Sequence, residues 1–426
     1  MSRNGGASPL RDGEFRAIWL GRLISTLGDQ LARVAVALIA FSHTGSAGLT
    51  AVTYALTYLP AVIGGPLLGG LADRYPRRTV AICCDLARGA LIGAAAIPGL
   101  PFGSLIPLIF AVSLLEPPSD AARSALVANV LSGARYMSAM TVTLVSGQLA
   151  TLLGFAAGGV LAAVLGPRTA MLLDAASFAL SAIVTWLGVR HRTAARAGSP
   201  AGTCGEIKRE RRAGPWRTVR LIAADPVLSR LAAFTMIVCC LVAPESLAAP
   251  YAASLGGGAA GTGIFLAAFP VGFTLGGILM TRISAPSRLL GLIAPAFALA
   301  SVPLICFTIH PSLPVSIALW TLSGLLTAPV ITVNAAFVRV VPDDSRGAAG
   351  ALMSSVLGGG QGLLMAAAGG IAEILGLPGT IAVFGVAVAV FTVLTSVGWR
   401  AARAVAVTAL AEPAEAAGSA RAAPVP

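Results

Sequence analysis

Twelve times along this chain, twenty or more mostly apolar residues run on with little or no charge. The runs cover 17–41, 49–71, 79–99, 102–122, 138–165 and 168–189, then 227–250, 260–281, 287–308, 313–338, 347–375 and 379–399. A helix needs about 20 apolar residues to cross the hydrocarbon core of a bilayer. In that core every backbone N–H and C=O must find its partner within the protein, so a run of this length is a helix. The composition agrees. Hydrophobic residues make up 56% of the 426, charged residues only 11%, and mean hydropathy is +0.86. A soluble domain carries about 25% charged residues, and so small a charged share cannot coat a water-facing surface. The expected fold is therefore an all-α polytopic membrane protein of twelve transmembrane helices, six on each side of a long polar break.

Arg and Lys set the direction. Count Arg168, Arg230 and Arg288, each within four residues of a span's start, with the neighbouring connection. Then 25 of the 29 basic residues lie before span one, in the even-numbered connections or in the tail. Arg168 alone lies in an odd-numbered connection, and Arg22, Arg33 and Arg88 lie inside spans. The positive-inside rule then places both termini and the middle loop in the cytoplasm, in the cell's plasma membrane. The first sixteen residues are polar and lack the layout of a cleaved signal, so the first apolar run is expected to stay as an anchor. The net charge of +12 has this topological cause, so nucleic acid is not an expected partner; anionic lipid headgroups are.

The expected organisation is a six-helix bundle over 1–189, a basic linker over 190–226, a second bundle over 227–403 and a disordered tail over 404–426. Within the linker the simpler expectation is a solvated basic segment held by anionic headgroups. The alternative is a short amphipathic helix from Trp216 to Ile222, with Trp216 and Val219 toward lipid. The halves echo each other at a fixed offset of 211 residues. Pro118 matches Pro329, Arg135 matches Arg346, Gly147 matches Gly358, and Gly158-Gly159 matches Gly369-Gly370. Five matches in register point to an internal repeat. The bundles are then related by a pseudo-twofold axis along the membrane normal, with a substrate site between them near the midplane.

Span two ends in an unusual knot, Gly69-Gly70-Leu71-Ala72-Asp73-Arg74-Tyr75-Pro76-Arg77-Arg78. It resembles the loop signature of the major facilitator superfamily, G-x-L-A-D-R-x-G-R-[RK], with Pro76 at a position where Gly is common. The resemblance implies a cytoplasmic gate in which Asp73 meets the start of span eleven. It also implies that Arg77 or Arg78 pairs with Asp120 at the end of span four. The second-half counterpart, from Gly276, has Met280 in place of the acid. In span five, Gly154-Phe155-Ala156-Ala157-Gly158-Gly159 resembles the antiporter signature G-P-x-x-G-G, with Phe155 in place of Pro.

Ionisable groups inside a span are expensive, roughly 2.5–3.5 kcal/mol each at mid-helix, and so mark functional paths. Asp29 lies near the middle of span one with Arg33 one turn on, the spacing of a helical pair. This stretch resembles span one of the macrolide-efflux and enterobactin-exporter-like branch of drug:proton antiporters. Asp29 is expected to carry the coupling proton, tuned by Arg33; the alternative is a structural ion pair between the two. Asp85 and Arg88 read as a local pair. Glu116, Glu245 and Glu373 are further candidates for protons or substrate, as is Asp174, and Gln148 and Asn334 are neutral cavity candidates. No enzyme constellation, metal site or nucleotide loop is present, so no catalysis and no cofactor are expected. The expected activity is proton-coupled export of amphipathic small molecules (drug, macrolide, siderophore or secondary metabolite) by a monomer. Two rivals stand beside it: uptake or facilitated passage of a small metabolite, and a non-transporting sensor or binding scaffold.

Overall fold

The computed structural model describes residues 8–68, 71–192, 215–282, 286–342 and 345–411. Among them the regular structure is helical. Helix α1 (Gly13–Thr44) starts where Asp12 accepts the N–H groups of Glu14 and Phe15 and stops at Gly45, in the left-handed region at φ 63°. Such a residue ends a helix because only glycine takes that conformation without strain. The N-terminal half continues with α2 (Ala47–Ala55), α3 (Leu59–Leu68), α4 (Leu71–Arg74), α5 (Arg77–Ala95), α6 (Phe102–Leu114), α7 (Glu116–Val130), α8 (Gly133–Leu165) and α9 (Pro167–Gly188). After α10 (Pro215–Ala224), the C-terminal half comprises α11 (Pro226–Val242), α12 (Ala248–Ser254), α13 (Gly258–Met280), α14 (Pro286–Ile305), α15 (Leu313–Thr327), α16 (Val330–Val340), α17 (Arg346–Ser396) and α18 (Trp399–Ala411).

Nine helical stretches among the described residues are long and apolar enough to cross a membrane. Each of the twelve expected spans has a helical counterpart, but the helices do not count to twelve, for local reasons. Span two is divided into α2, α3 and α4. Span three is α5, whose Arg77, Arg78, Asp85 and Arg88 lower its hydropathy. Spans eleven and twelve run together in α17, turned at Gly376 (φ 73°, ψ 171°) just before Pro378. Prolines also set the breaks inside spans. The junction of α6 and α7 falls at Pro117-Pro118, that of α15 and α16 at Pro329, and a short 3-10 helix containing Pro244 separates α11 from α12. Proline has no N–H to donate to the turn before it, so a helix stops and restarts there.

Two expectations change, one in the linker and one in the tail. The stretch around Trp216 to Ile222 is helix α10, as in the amphipathic alternative, and Val219 on it is 39% exposed. Residues 404–411 continue helix α18 instead of belonging to a disordered tail. The rest of that tail, Lys208 and Cys204 lie outside the described residues.

The surface is that of a protein in lipid. Val145, Leu149, Leu153, Val160 and Val164 are all exposed along α8. One core runs across both halves, joining Val34, Tyr54 and Phe155 to Phe234, Phe265 and Trp320. The halves approach closest at the end away from the arginine-rich connections. A methyl group on Gly159 of α8 would lie 2.6 Å from Cα of Gly263 of α13, and one on Gly369 of α17 would lie 2.8 Å from the Gly48 oxygen of α2. Small residues allow such backbone contact between membrane helices. These two crossings join spans five and eight and spans eleven and two, equivalent pairs under the 211-residue repeat. Spans eleven and two stay in contact to mid-depth, where methyls on Gly362 and Gly359 would press on Leu59 and Val62 at 3.0 and 2.6 Å, whereas a methyl on Gly147 of α8 or Gly358 of α17 would meet nothing within 4 Å.

Candidate transport site

Between mid-depth and the arginine-rich end lies a cavity of about 400 Å³, lined by α1, α5, α7 and α8. Asp29, Arg33, Arg88 and Glu116 line it, with Gln148 and Thr151 on the opposing wall of α8. A second void of about 30 Å³ adjoins the same four charged side chains and adds Asp174. That is room enough for a water molecule.

The charges pair between helices, not along them. Asp29 Oδ1 accepts from Arg88 Nη2 at 2.8 Å, so its partner is on α5 and is not Arg33. The Arg88 guanidinium also lies 4.5 Å from the Phe178 ring centroid on α9. Arg33 donates to Tyr58 Oη at 3.1 Å and Gln30 Oε1 at 3.4 Å, and stands 3.9 Å from Glu116. It also stacks 4.4 Å over the Tyr58 ring. Asp174 is 1% exposed. Its Oδ1 accepts from Ser177, and its Oδ2 has no hydrogen-bond partner among the described residues. The result is a chain of charge through the N-terminal half, from Glu116 and Arg33 on one side to Asp29, Arg88 and Asp174 on the other.

The expected pair of Asp85 and Arg88 is likewise replaced. Asp85 pairs with Arg123 of α7 and accepts from Ser119 and Ser181, while Arg123 also donates to Ser25 and Ser181. Both ions are buried, and four helices meet there. Arg123 had the position of a topology marker just past span four. It is instead 3% exposed, because α7 continues to Val130. Asp120 pairs with Arg22 at 3.3 Å, not with Arg77 or Arg78. Arg77 donates to the Ala125 carbonyl and to Asn129, and Arg78 to the Trp186 carbonyl. Gly69, Gly70 and the side chain of Asp73 lie outside the described residues; Arg74 is exposed at the end of α4.

The other candidates scatter. Glu245 is buried in the 3-10 helix after α11, which packs against α2. Nearby on α2, Tyr54 is fully buried and its Oη has no partner among the described residues. Asn334 accepts from Thr235 at 2.9 Å within the C-terminal half. Glu373 stands away from the cavity, just before the turn of α17 at Gly376, where it meets Ser46 and Gly48. The glycines of the antiporter-like stretch are contact points: methyls at Gly154 and Gly158 would press on Gln30 and Val34 of α1 at 2.7 and 3.1 Å. Phe155 between them is buried.

The family model described as "Major Facilitator Superfamily" matches residues 18–305. The chain belongs to the major facilitator superfamily. Members of this family are transporters and not enzymes, and the chain is a multi-pass membrane transporter. Macrolide efflux protein A of Streptococcus pyogenes is 32% identical over 73 residues, 17% of this chain and 18% of that protein. An uncharacterized MFS-type transporter, YfiS of Bacillus subtilis (strain 168), is 25% identical over 178 residues, 42% of each chain. The matches thus span less than half the length of these relatives. Among solved structures, a bacterial homolog of the human lysosomal transporter Spinster, inward-facing and unoccupied, superposes with a TM-score of 0.69 at 17% identity over 95% of this chain and 99% of that one. A POT family transporter in complex with a thioalcohol-conjugated peptide gives 0.72 at 10% identity over 91% and 96%. At these identities the likeness is one of fold.

Proposed function

We propose that this facilitator-family chain is a secondary active exporter of amphipathic small molecules, driven by proton antiport across the plasma membrane. The observation that carries the reading is the inter-helix ion chain at mid-depth, bordering a cavity that lies between mid-depth and the arginine-rich end. With that end in the cytoplasm, as the Arg and Lys distribution argues, the described arrangement is the cytoplasm-facing state. Substrate enters the 400 Å³ cavity from the cytoplasm or inner leaflet. Asp29 then has two alternatives, a proton or the guanidinium of Arg88. Burial penalises the charged acid and the cation favours it, so when the far end opens a proton from that side takes the place of Arg88, and when the cytoplasmic side opens again the proton leaves to the cytoplasm and Arg88 returns. Arg33 stands beside Glu116, a second acid of the chain. The match with a macrolide efflux protein over span-sized lengths supports export of bulky amphiphiles.

Asp73 is proposed to close the cytoplasmic side in the opposite state, as the loop resemblance implies. Uptake of a small metabolite is the second reading, favoured by Phe155 at the antiporter-like position. A susceptibility screen of an efflux-deficient host, with and without the chain, identifies the compound. Everted vesicles then decide direction: accumulation that rises with an imposed pH gradient supports antiport. Gradient-independent equilibration supports facilitated passage. Saturable binding with no movement supports a sensor.

A further inference from the structure

The far end of the molecule is closed by more than packing. Ser46 is the N-cap of α2, its hydroxyl oxygen accepting the Leu49 N–H at 3.1 Å. The first turn of α2 has no acid of its own. Glu373, on α17 of the other half, supplies one. A single carboxylate oxygen accepts from Ser46 Oγ at 2.7 Å and from the Gly48 N–H at 2.8 Å. In an ordinary capping box the glutamate lies three residues beyond the cap on the same helix; here it lies 327 residues beyond the cap, Ser46. The fit depends on Gly48, where a methyl would be 3.1 Å from the Glu373 oxygen, and on Gly369, one turn earlier on α17. The neighbouring Ile374 is 83% exposed, so the contact lies at the surface and can be unmade without opening a core.

We propose that Glu373 is the latch of the far-end gate: by capping α2 across the interface between halves, it holds that end shut in the state described here and must release α2 before the far end opens. It is a positioning residue that sets the balance between the two end-open states. It takes no part in holding substrate. The other far-end crossing, Gly159 on Gly263, is backbone packing, which leaves Glu373 to make the charge-assisted bonds there. The inference rests on the alternating-access reading only in requiring that the far end opens at all.

The test uses the full chain in lipid nanodiscs, its native cysteines replaced, with spin labels at Leu165 and Leu255. Both positions are exposed and both flank the other far-end crossing, so neither label touches the latch. No substrate or gradient is needed, which keeps this result separate from any failure of the transport reading. An exposed carboxylate at a helix N-terminus shifts a two-state balance about two- to fivefold. Glu373→Gln should raise the ratio of long to short distances by that factor. Glu373→Ala and Ser46→Ala should raise it at least as much, and Glu373→Asp should recover part of the parent distribution. Distance populations unchanged in both Glu373→Gln and Glu373→Ala would overturn the proposal. The glutamine keeps shape and is the deciding variant if the alanine does not fold.

Discussion

At the residue scale, the partner of each charge is what determines its role. Asp29 and Arg33 have helical spacing, as do Asp85 and Arg88, and on an isolated helix each couple would pair. In a bundle the nearest opposite charge is on another helix. Asp29 therefore meets Arg88, and Asp85 meets Arg123. A double-mutant cycle should accordingly give a coupling of about 0.5–3 kcal/mol for Asp29 with Arg88 and almost none for Asp29 with Arg33. A larger coupling to Arg33 would reverse the assignment. Burial ranks the pairs by stability. Removing one partner of a buried pair costs about 3–5 kcal/mol because the other ion is left uncompensated. Asp85→Ala should therefore lower the melting temperature in detergent sharply. Arg22→Ala, whose pair with Asp120 is 34% and 46% exposed, should cost about 1 kcal/mol or less. Which residues were ionisable and inside a span was legible in the sequence, Asp29 and Glu116 among them. Their partners were not, because pairing across helices depends on helix rotation, which hydropathy does not encode. Arg123 was missed for a related reason: span four reaches further than its apolar run.

At the element scale, glycine and proline set the breaks. Pro117-Pro118, Pro244 and Pro329 break their helices, and Gly376 turns the last long one. The threefold division of span two and the helix at Pro215–Ala224 were harder to foresee, since both depend on packing and surface context rather than on composition. The repeat gives the glycines different duties in equivalent places. Gly263→Ala should wedge the α8–α13 crossing, where the new methyl would press on Phe155 O at 2.7 Å, and should populate the far-end-open state. Gly358→Ala meets nothing within 4 Å and should stabilise α17 by about 0.5–1 kcal/mol, the usual gain of alanine over glycine in a helix. Limited crosslinking across α8 and α13, alongside thermal melts, separates the two effects. Faster far-end crosslinking in Gly263→Ala than in the parent would contradict the wedge.

At the scale of the whole molecule, the two halves close on each other at the end away from the arginine-rich connections, and a charged cavity lined by the N-terminal half lies toward the other. The fold and the family were legible from twelve apolar runs and one loop signature. The cavity was legible only as a midplane expectation, since its walls are made by helix faces that no run of letters orients. The latch at Glu373 was read as a candidate for protons or substrate, because a charge near the end of an apolar run looks the same whether it faces a cavity or a helix N-terminus. The central claim is that Asp29, exchanging Arg88 for a proton, couples the gradient to export. Its most direct measurement is uptake into everted vesicles of the compound found by the screen, parent against Asp29→Asn at equal protein level, with and without an imposed pH gradient. The account predicts that the gradient multiplies uptake in the parent, while Asp29→Asn keeps downhill exchange and gains nothing from the gradient. An Asp29→Asn protein that responds to the gradient as the parent does would contradict it.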